Sequence, residues 1–407
     1  MKLKFLAAGL IVAALGFATI APAQATSTVN QAACKPAKKG VATCFAIRHA
    51  LILPKTVKQK PQNFASTLNA VAYGANALRK AYDIRVLGSR SKVIAIIDAT
   101  HSQTAFDDLV GYRDMYGLPS IDRCGKPGEI QGALPTGSYP CFVQVDQDSR
   151  VVSKFDQTED SGWAQEIALD LAMASAACPN CSILLVEAKS ATFGNLNTAV
   201  ETAADFIGVR SISNSYGGSD SAPGSMTAYT KAAKRGIAVT ASTGDSGYGV
   251  SAPATFAGVI SVGGTSLFVD AKGRWLNETA WISGGSGCSK LNDQPKWQKT
   301  AVTKCAGKAT ADVAAVADPA TGVAVYYDGG WYSFGGTSAS SPFIAGLYAA
   351  KANFGDDPAG YTVANKDSLH DVTAGSNGKC KPAIWCAATE GWDAPTGWGS
   401  PSGANAF

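Results

Sequence analysis

At 407 residues the chain is long enough for one large or two ordinary domains. A composition of 46% hydrophobic and only 16% charged residues is globular and excludes a disordered chain. The formal charge of +4 includes Lys2 and Lys4 at the extreme N-terminus, so the remainder gives no ground for a nucleic-acid partner.

Met1 to Ala25 has the form of a secretory signal peptide. Lys2 and Lys4 supply the positive start, Phe5 to Ile20 the apolar core, and Ala23-Gln24-Ala25 the small-residue cleavage site. The competing reading, a membrane anchor, fits a run this short less well, and no other stretch is long and apolar enough to span a bilayer. The expectation is a secreted, extracellular protein, with a periplasmic location as the variant, and no membrane partner in the mature form. Export permits disulfides, and ten cysteines fall in close pairs: Cys34/Cys44, Cys124/Cys141, Cys178/Cys181, Cys288/Cys305 and Cys380/Cys386. Five sequence-local bridges are expected. Cys178-Pro-Asn-Cys181 could instead be a redox or zinc half-site, although no second CxxC or histidine lies at metal spacing.

Thr26 to about Gln62 is polar and basic, with Lys55, Lys58 and Lys60 beside Pro54 and Pro61, and residues 26–74 read as a short prosegment or linker. The main domain is expected over 75–407. Ala75 to Tyr82 is a short helix. From Lys92 onward strands and helices alternate: Val93–Asp98 strand, Asp107–Tyr116 helix, Ile183–Glu187 strand, Leu196–Phe206 helix, Val209–Ser215 strand, Met226–Lys234 helix, then strands Ile237–Ala241 and Val259–Val262. Continuous apolar strands alternating with helices predict an α/β fold with a central, mostly parallel sheet covered on both faces. In such sheets the site lies beyond the carboxyl ends of the strands, where Asp98, Asn214 and Asp245 fall.

Ser161 to Ala177 reads as one buried helix, because Ala, Leu, Met and Gln favour helix and the stretch is apolar nearly all round. It nevertheless carries Glu166 and Asp170, four apart and therefore on one face. A solvated acidic edge is the simple reading of such a pair. Among Ala, Ile, Leu and Met, a proton-sharing pair able to act as a general base is the sharper one. Gly335-Gly-Thr-Ser-Ala-Ser-Ser-Pro342 opens a helix to about Ala350 and puts Ser338 where backbone N–H groups favour developing negative charge. An ordinary N-cap serine is the alternative. A nucleophilic serine needs a base. His49, His101 and His370 each read as loop or surface residues, which leaves the carboxylates.

Three motifs together resemble the sedolisin, or serine-carboxyl peptidase, family of subtilisin-like enzymes. They are Glu166-x-x-x-Asp170 on a helix, Ser242-Thr-Gly-Asp-Ser-Gly247, and Gly336-Thr-Ser-Ala-Ser-Ser-Pro342. Asp107 to Pro119 and Gly391 to Gly397 are also similar, and the likeness covers about 75 to 407. The resemblance implies a subtilisin-like domain and a secreted, acid-favoured serine-type endopeptidase acting on protein or peptide substrates as a monomer. It implies Ser338 as nucleophile, Glu166 as base, Asp170 as the residue orienting Glu166, and Asp245 in the oxyanion hole. Alone, Asp245 would read as a turn residue. Asp98 is a candidate third acid extending the Glu166/Asp170 pair. The resemblance also implies one structural Ca²⁺, held by the side chains of Asp371 and Asp393 and the carbonyls of Val372, Thr389 and Gly391; a metal-free Gly/Asp turn is the alternative. The family carries a long folded prodomain where only a short segment follows Ala25 here, with a maturation cut expected near residues 50 to 80. The rival function is a catalytically silent secreted binding protein on the same fold.

Overall fold

The computed structural model describes residues 30–53, 68–69, 71–125, 134, 140–151, 159–220, 227–352 and 354–407. The expected leader and part of the expected prosegment lie outside the described residues. The centre of the molecule is the strand Val93–Ala99, buried at every position. Its Val, Ile and Ala residues suit a strand covered on both faces. Ser182–Ala188 and Val209–Asn214 flank it in parallel. The sheet runs Trp275–Ala280, Val259–Val269, Ala238–Ser242, Val209–Asn214, Val93–Ala99, Ser182–Ala188, Cys141–Asp146, Asp122–Arg123, and Val313–Val316 also pairs with Val259–Val269. Every described pairing in it is parallel except that of Trp275–Ala280 with Val259–Val269.

Alternation along the central strand divides the core. Ile94 and Ile96 pack with Ile167, Leu171 and Ala345 on one face. Val93, Ala95 and Ile97 pack with Leu196, Val200 and Ala228 on the other. The first face is covered by the helices Ser161–Ala177 and Thr337–Lys351, which approach closely: a Cβ on Gly346 would stand 2.5 Å from Ala177 Cβ. The second is covered by Phe193–Asp205 and Thr227–Lys234. The expected layered α/β architecture is therefore observed, with helices and strands in the expected places and their ends within three residues, except that the strand expected over Val259–Val262 runs on to Val269.

Within the polar N-terminal stretch, the described residues 30–53 include strands. Ile47–Leu53 pairs antiparallel with Gly330–Gly335, and Gln31–Ala32 pairs with Ile47–Arg48. Thr43–Cys44 pairs antiparallel with Tyr216–Gly217. All five expected disulfides are formed, with Cα separations from 5.4 to 6.0 Å. Cys178 ends the helix Ser161–Ala177 and is bridged to Cys181.

Candidate active site

The helix Ser161–Ala177 begins at Asp160, whose side chain accepts from Gly162 N at 2.8 Å and Trp163 N at 3.3 Å, satisfying two of the orphan donors at the helix start. One and a half turns in, the helix carries Glu166 and, one turn later, Asp170, both fully buried. The opposing helix starts at Thr337 after Gly336, whose φ of 97° favours glycine. Ser338 is the second residue of that helix, fully buried, and its Oγ donates to the Ser215 carbonyl at 3.3 Å.

Ser338, Glu166, Asp170 and Asp98 form a connected electrostatic row. Glu166 is pushed well up, first by burial and then by the charge of Asp170, while the Ser338 side chain and the Ala46 N–H pull it back. Asp170 is pushed well up by burial and then by Asp98, with Ser215 and Glu166 opposing. Asp98 is pushed well up by burial, then by Glu166 and Glu187. Among the described residues, both oxygens of Asp98, both of Asp170 and Oε1 of Glu166 meet no donor in ordinary hydrogen-bond geometry. A protonated acid is itself a donor, so sharing protons within the row is how these groups can be satisfied. Glu166 Oε2 does have a donor, the Ala46 N–H at 2.7 Å.

Asp245 lies after the strand Ala238–Ser242, and its Oδ1 accepts from Thr337 N at 2.8 Å and Thr337 Oγ1 at 2.9 Å. Its Oδ2 is buried without a partner and points at the start of the serine helix, 2.7 Å from where a Gly336 Cβ would be. Burial pushes the Asp245 carboxyl up to about 7 against the opposing Thr337 bonds. It also acts on Glu166. Beside these groups opens a cleft of about 520 Å³ lined by Phe45, Gly217, Gly218, Gly244, Asp245 and Gly285 among others.

The structure thus brings Glu166, Asp170, Ser338 and Asp245 together, with Asp98 behind them. Sequence reasoning missed Ser215, Thr337 and the Tyr216–Ser219 strand that borders the cleft. For Ser215 and the strand after it, the position directly after Asn214 at the carboxyl end of a core strand was the available signal, and for Thr337 it was its place beside Ser338 at a helix start. It also misjudged one histidine. His101 is buried and its Nδ1 is 2.8 Å from Glu187 Oε2. His49 meets Asn30 Oδ1 at 2.6 Å, and His370 stacks on Trp275 at 3.9 Å.

The five residues expected to hold calcium also gather in one place. Asp371 Oδ2 accepts from Gly391 N at 2.8 Å, and Asp393 Oδ2 from Thr389 N at 3.0 Å. Val372 is buried beside them. Asp393 is fully buried and pushed up to about 7, first by burial, with Asp371 adding to the push. Two mutually repelling carboxyl groups, one of them buried, are a donor set a hard cation suits. Among the described residues no three or more His, Cys, Asp or Glu side chains cluster for a metal, so a cation here would depend on carbonyls as well.

Comparison with known proteins bears on the fold and the family. The subtilase family profile matches residues 158–399. Kumamolisin of Bacillus sp. (strain MN-32) is 36% identical over 279 residues, 60% of this chain and 50% of that protein. Sedolisin of Pseudomonas sp. (strain 101) is 32% identical over 204 residues, 42% of this chain and 34% of that protein. The chain therefore spans half or less of the length of these relatives. The solved structure of Pseudomonas sedolisin complexed with two molecules of pseudo-iodotyrostatin superposes with a TM-score of 0.67 at 26% identity, over 81% of this chain and 95% of that one. The chain belongs to the subtilase family, on the sedolisin branch of the subtilisin-like clan.

Proposed function

We propose that this chain is a secreted serine-carboxyl endopeptidase that hydrolyses peptide bonds and is favoured by acid. The observation that carries the reading is a buried serine at a helix start beside a buried row of acids short of donors, with no imidazole among Glu166, Asp170 and Asp98. Ser338 Oγ attacks the peptide carbonyl and Glu166 takes its proton, then returns it to the leaving amine. Asp170, sharing a proton with Glu166, orients it and steadies its charge, and Asp98 extends the row. The tetrahedral oxygen meets Asp245 Oδ2, which donates while protonated, and the N–H groups at the start of the serine helix.

Asp245, pushed up to about 7, keeps its proton in acid and loses it as the pH climbs through that value. The oxyanion donor then becomes an anion, so activity falls on the alkaline side. The test is a pH–rate profile from pH 3 to 8 on a denatured protein substrate, beside Ser338→Ala. Loss of activity in that variant and decline through neutrality are expected. Activity that survives Ser338→Ala, or an optimum above about pH 8, where a carboxylic acid donor does not persist, overturns the reading.

Asp371, Asp393 and the carbonyls of Val372, Thr389 and Gly391 would hold one Ca²⁺. The ion supplies positive charge that neutralises the two carboxylates and ties the C-terminal loop to the domain, away from the serine. Export is supported by five disulfides, and among the described residues no helix is long and apolar enough to cross a membrane. A silent binding protein on this fold would have no use for unsatisfied buried acids, and no observation favours it.

A further inference from the structure

The row of acids behind Ser338 has a neighbour built on the opposite plan. Asp98 follows Ile94 and Ile96 at the two-residue spacing of a strand, so it shares their face, under the helix Ser161–Ala177. Glu187 follows Ile183 and Leu185 onto the same face of the next strand. Asp98 and Glu187 are register partners in these parallel strands, which lie about 4.8 Å apart. Both residues are fully buried. Two carboxyl groups so placed do not both ionise readily, and their surroundings decide which of them does.

Among the described residues, neither oxygen of Asp98 meets a donor. Both oxygens of Glu187 do. Its Oε1 accepts from the Ser102 N–H at 3.0 Å and from Gln144 Nε2 at 2.9 Å, and its Oε2 lies 2.8 Å from His101 Nδ1. Two N–H donors on one oxygen suit a carboxylate, so the Nδ1 proton is assigned to the imidazole, which donates it to Oε2. Gln144 is held in turn by the Ser102 carbonyl at 2.9 Å. Burial pushes Glu187 up, and the bond and charge of His101, the Ser102 N–H and Gln144 work against that push. Glu187 in turn adds to the upward push on Asp98, after burial and Glu166. Other charged groups near the pair have partners of their own. Asp146, the register partner of Glu187 on its far side, accepts from Arg150 Nε at 2.8 Å. Asp108, in the helix after His101, accepts from Thr104 Oγ1 and the Asp328 N–H. Glu159 meets His101 as a backbone bridge, and the helix above carries only Glu166 and Asp170 as charged residues.

We propose that Glu187, locked by His101, Ser102 and Gln144, is a positioning residue whose fixed negative charge keeps a proton on Asp98, so that the one negative charge of the row resides on Glu166, next to Ser338. The inference rests on the peptidase reading above and deepens it, because it says why the base is the acid nearest the serine. A row of three acids that shares protons can place its charge at either end. Charge at the Asp98 end is of no use to Ser338, and Glu187 stands at that end and opposes it. Glu187 touches neither substrate nor serine and acts through Asp98 alone. His101 belongs to the same device: it sits outside the row and serves as a donor to Glu187, not as a base for Ser338.

The experiment compares the full chain as wild type, Ser338→Ala, Glu187→Gln, and the double variant His101→Leu/Glu187→Met. Glu187→Gln keeps the shape and removes the charge. The double variant replaces the pair by apolar side chains, which a core accepts more readily than a lone charge, and it decides the matter should the first fail to fold. The kcat and KM for a peptide substrate are measured from pH 3 to 8, beside the thermal midpoint of each form. In both Glu187 variants kcat should fall about tenfold with KM unchanged, one unit of proton affinity being a tenfold change in where the charge resides. The acid limb of the kcat profile should move about one unit to lower pH, because an anion beside Asp98 no longer favours its proton. The alkaline limb, set by Asp245, should stay in place. A profile that superposes on the wild type, a limb that moves to higher pH, or a fall in kcat or thermal midpoint with the limb unmoved overturns this inference. Hydrolysis by the wild type and its loss in Ser338→Ala then leave the peptidase reading standing. Hydrolysis absent from the wild type, or unchanged in Ser338→Ala, overturns both.

Discussion

Two kinds of buried acid site in this molecule are built in opposite ways. Glu278 sits in the core with a donor for every lone pair it turns inward. Its Oε1 accepts from Tyr82 at 2.7 Å and Thr265 at 2.6 Å, and its Oε2 from Trp275 Nε1 at 3.0 Å and from Ser400. Asp312 goes further. Burial pushes it up, but the Lys308 ammonium at 2.5 Å, Ser261 and Trp297 outweigh that and hold it below its ordinary value. The acids beside Ser338 have almost no such donors. An acid locked by four partners cannot exchange protons with a substrate, whereas one left short of donors can. In the proposed reading the difference separates acids that hold the fold from acids kept for chemistry.

The sharpest way to break the comparison is to remove the group the second set serves. Ser338→Ala should lower the peptide-hydrolysis rate by roughly 10³-fold or more while the thermal midpoint stays put, since a small buried hydroxyl is lost without a stranded charge. Activity assay and calorimetry on the same sample check it. Glu278→Ala should do the reverse. It strands the Tyr82, Thr265, Trp275 and Ser400 donors and should cost about 3 kcal/mol or more of stability. The molecules still folded should keep their specific activity, as chemical denaturation with parallel assays would show. If Glu278→Ala instead abolishes activity at full stability, the two sites are not of different kinds.

Acidity should move the two properties together. Burial raises Asp245 from 3.8 to about 7, and raises Asp98, Glu166 and Asp170 as well. Below the unfolded value both states carry these protons, so the stabilisation is full. As the pH rises the unfolded chain sheds them first, and for Asp245 the contribution is lost through about 7. The protein should therefore be more stable near pH 4 than near pH 8, by denaturant titration at both. A smaller effect is expected at the C-terminal loop, where excess chelator should lower the thermal midpoint by a few degrees, about 1 kcal/mol. An unchanged midpoint would leave the Asp371/Asp393 pair without a metal.

Much of this was legible in the sequence. Val93–Ala99 and the strands that flank it announce themselves by unbroken apolar runs, and the helix bearing Glu166 and Asp170 by acids set in an apolar surface. The paired cysteines gave the bridges because each partner lies close along the chain. What was not legible depends on contacts between distant segments. Nothing local marks Phe45 or Ala46, which reach the cleft and Glu166 because their neighbours Thr43, Cys44 and Ile47 pair with Gly217, Tyr216 and Gly335. His101 looks like a loop residue until the fold sets it against Glu187. The strand Trp275–Ala280, half exposed and polar, lacks the pattern that revealed the buried strands.

In the proposed reaction a carboxylate, and not an imidazole, takes the proton of Ser338. Glu166→Gln tests it most directly, because the amide keeps the shape and an acceptor oxygen for Ala46 N but cannot serve as the base. Measured as kcat/KM at acid pH beside the wild type, it should fall by roughly 10³-fold or more with the fold retained. Activity within tenfold of the wild type would contradict the account.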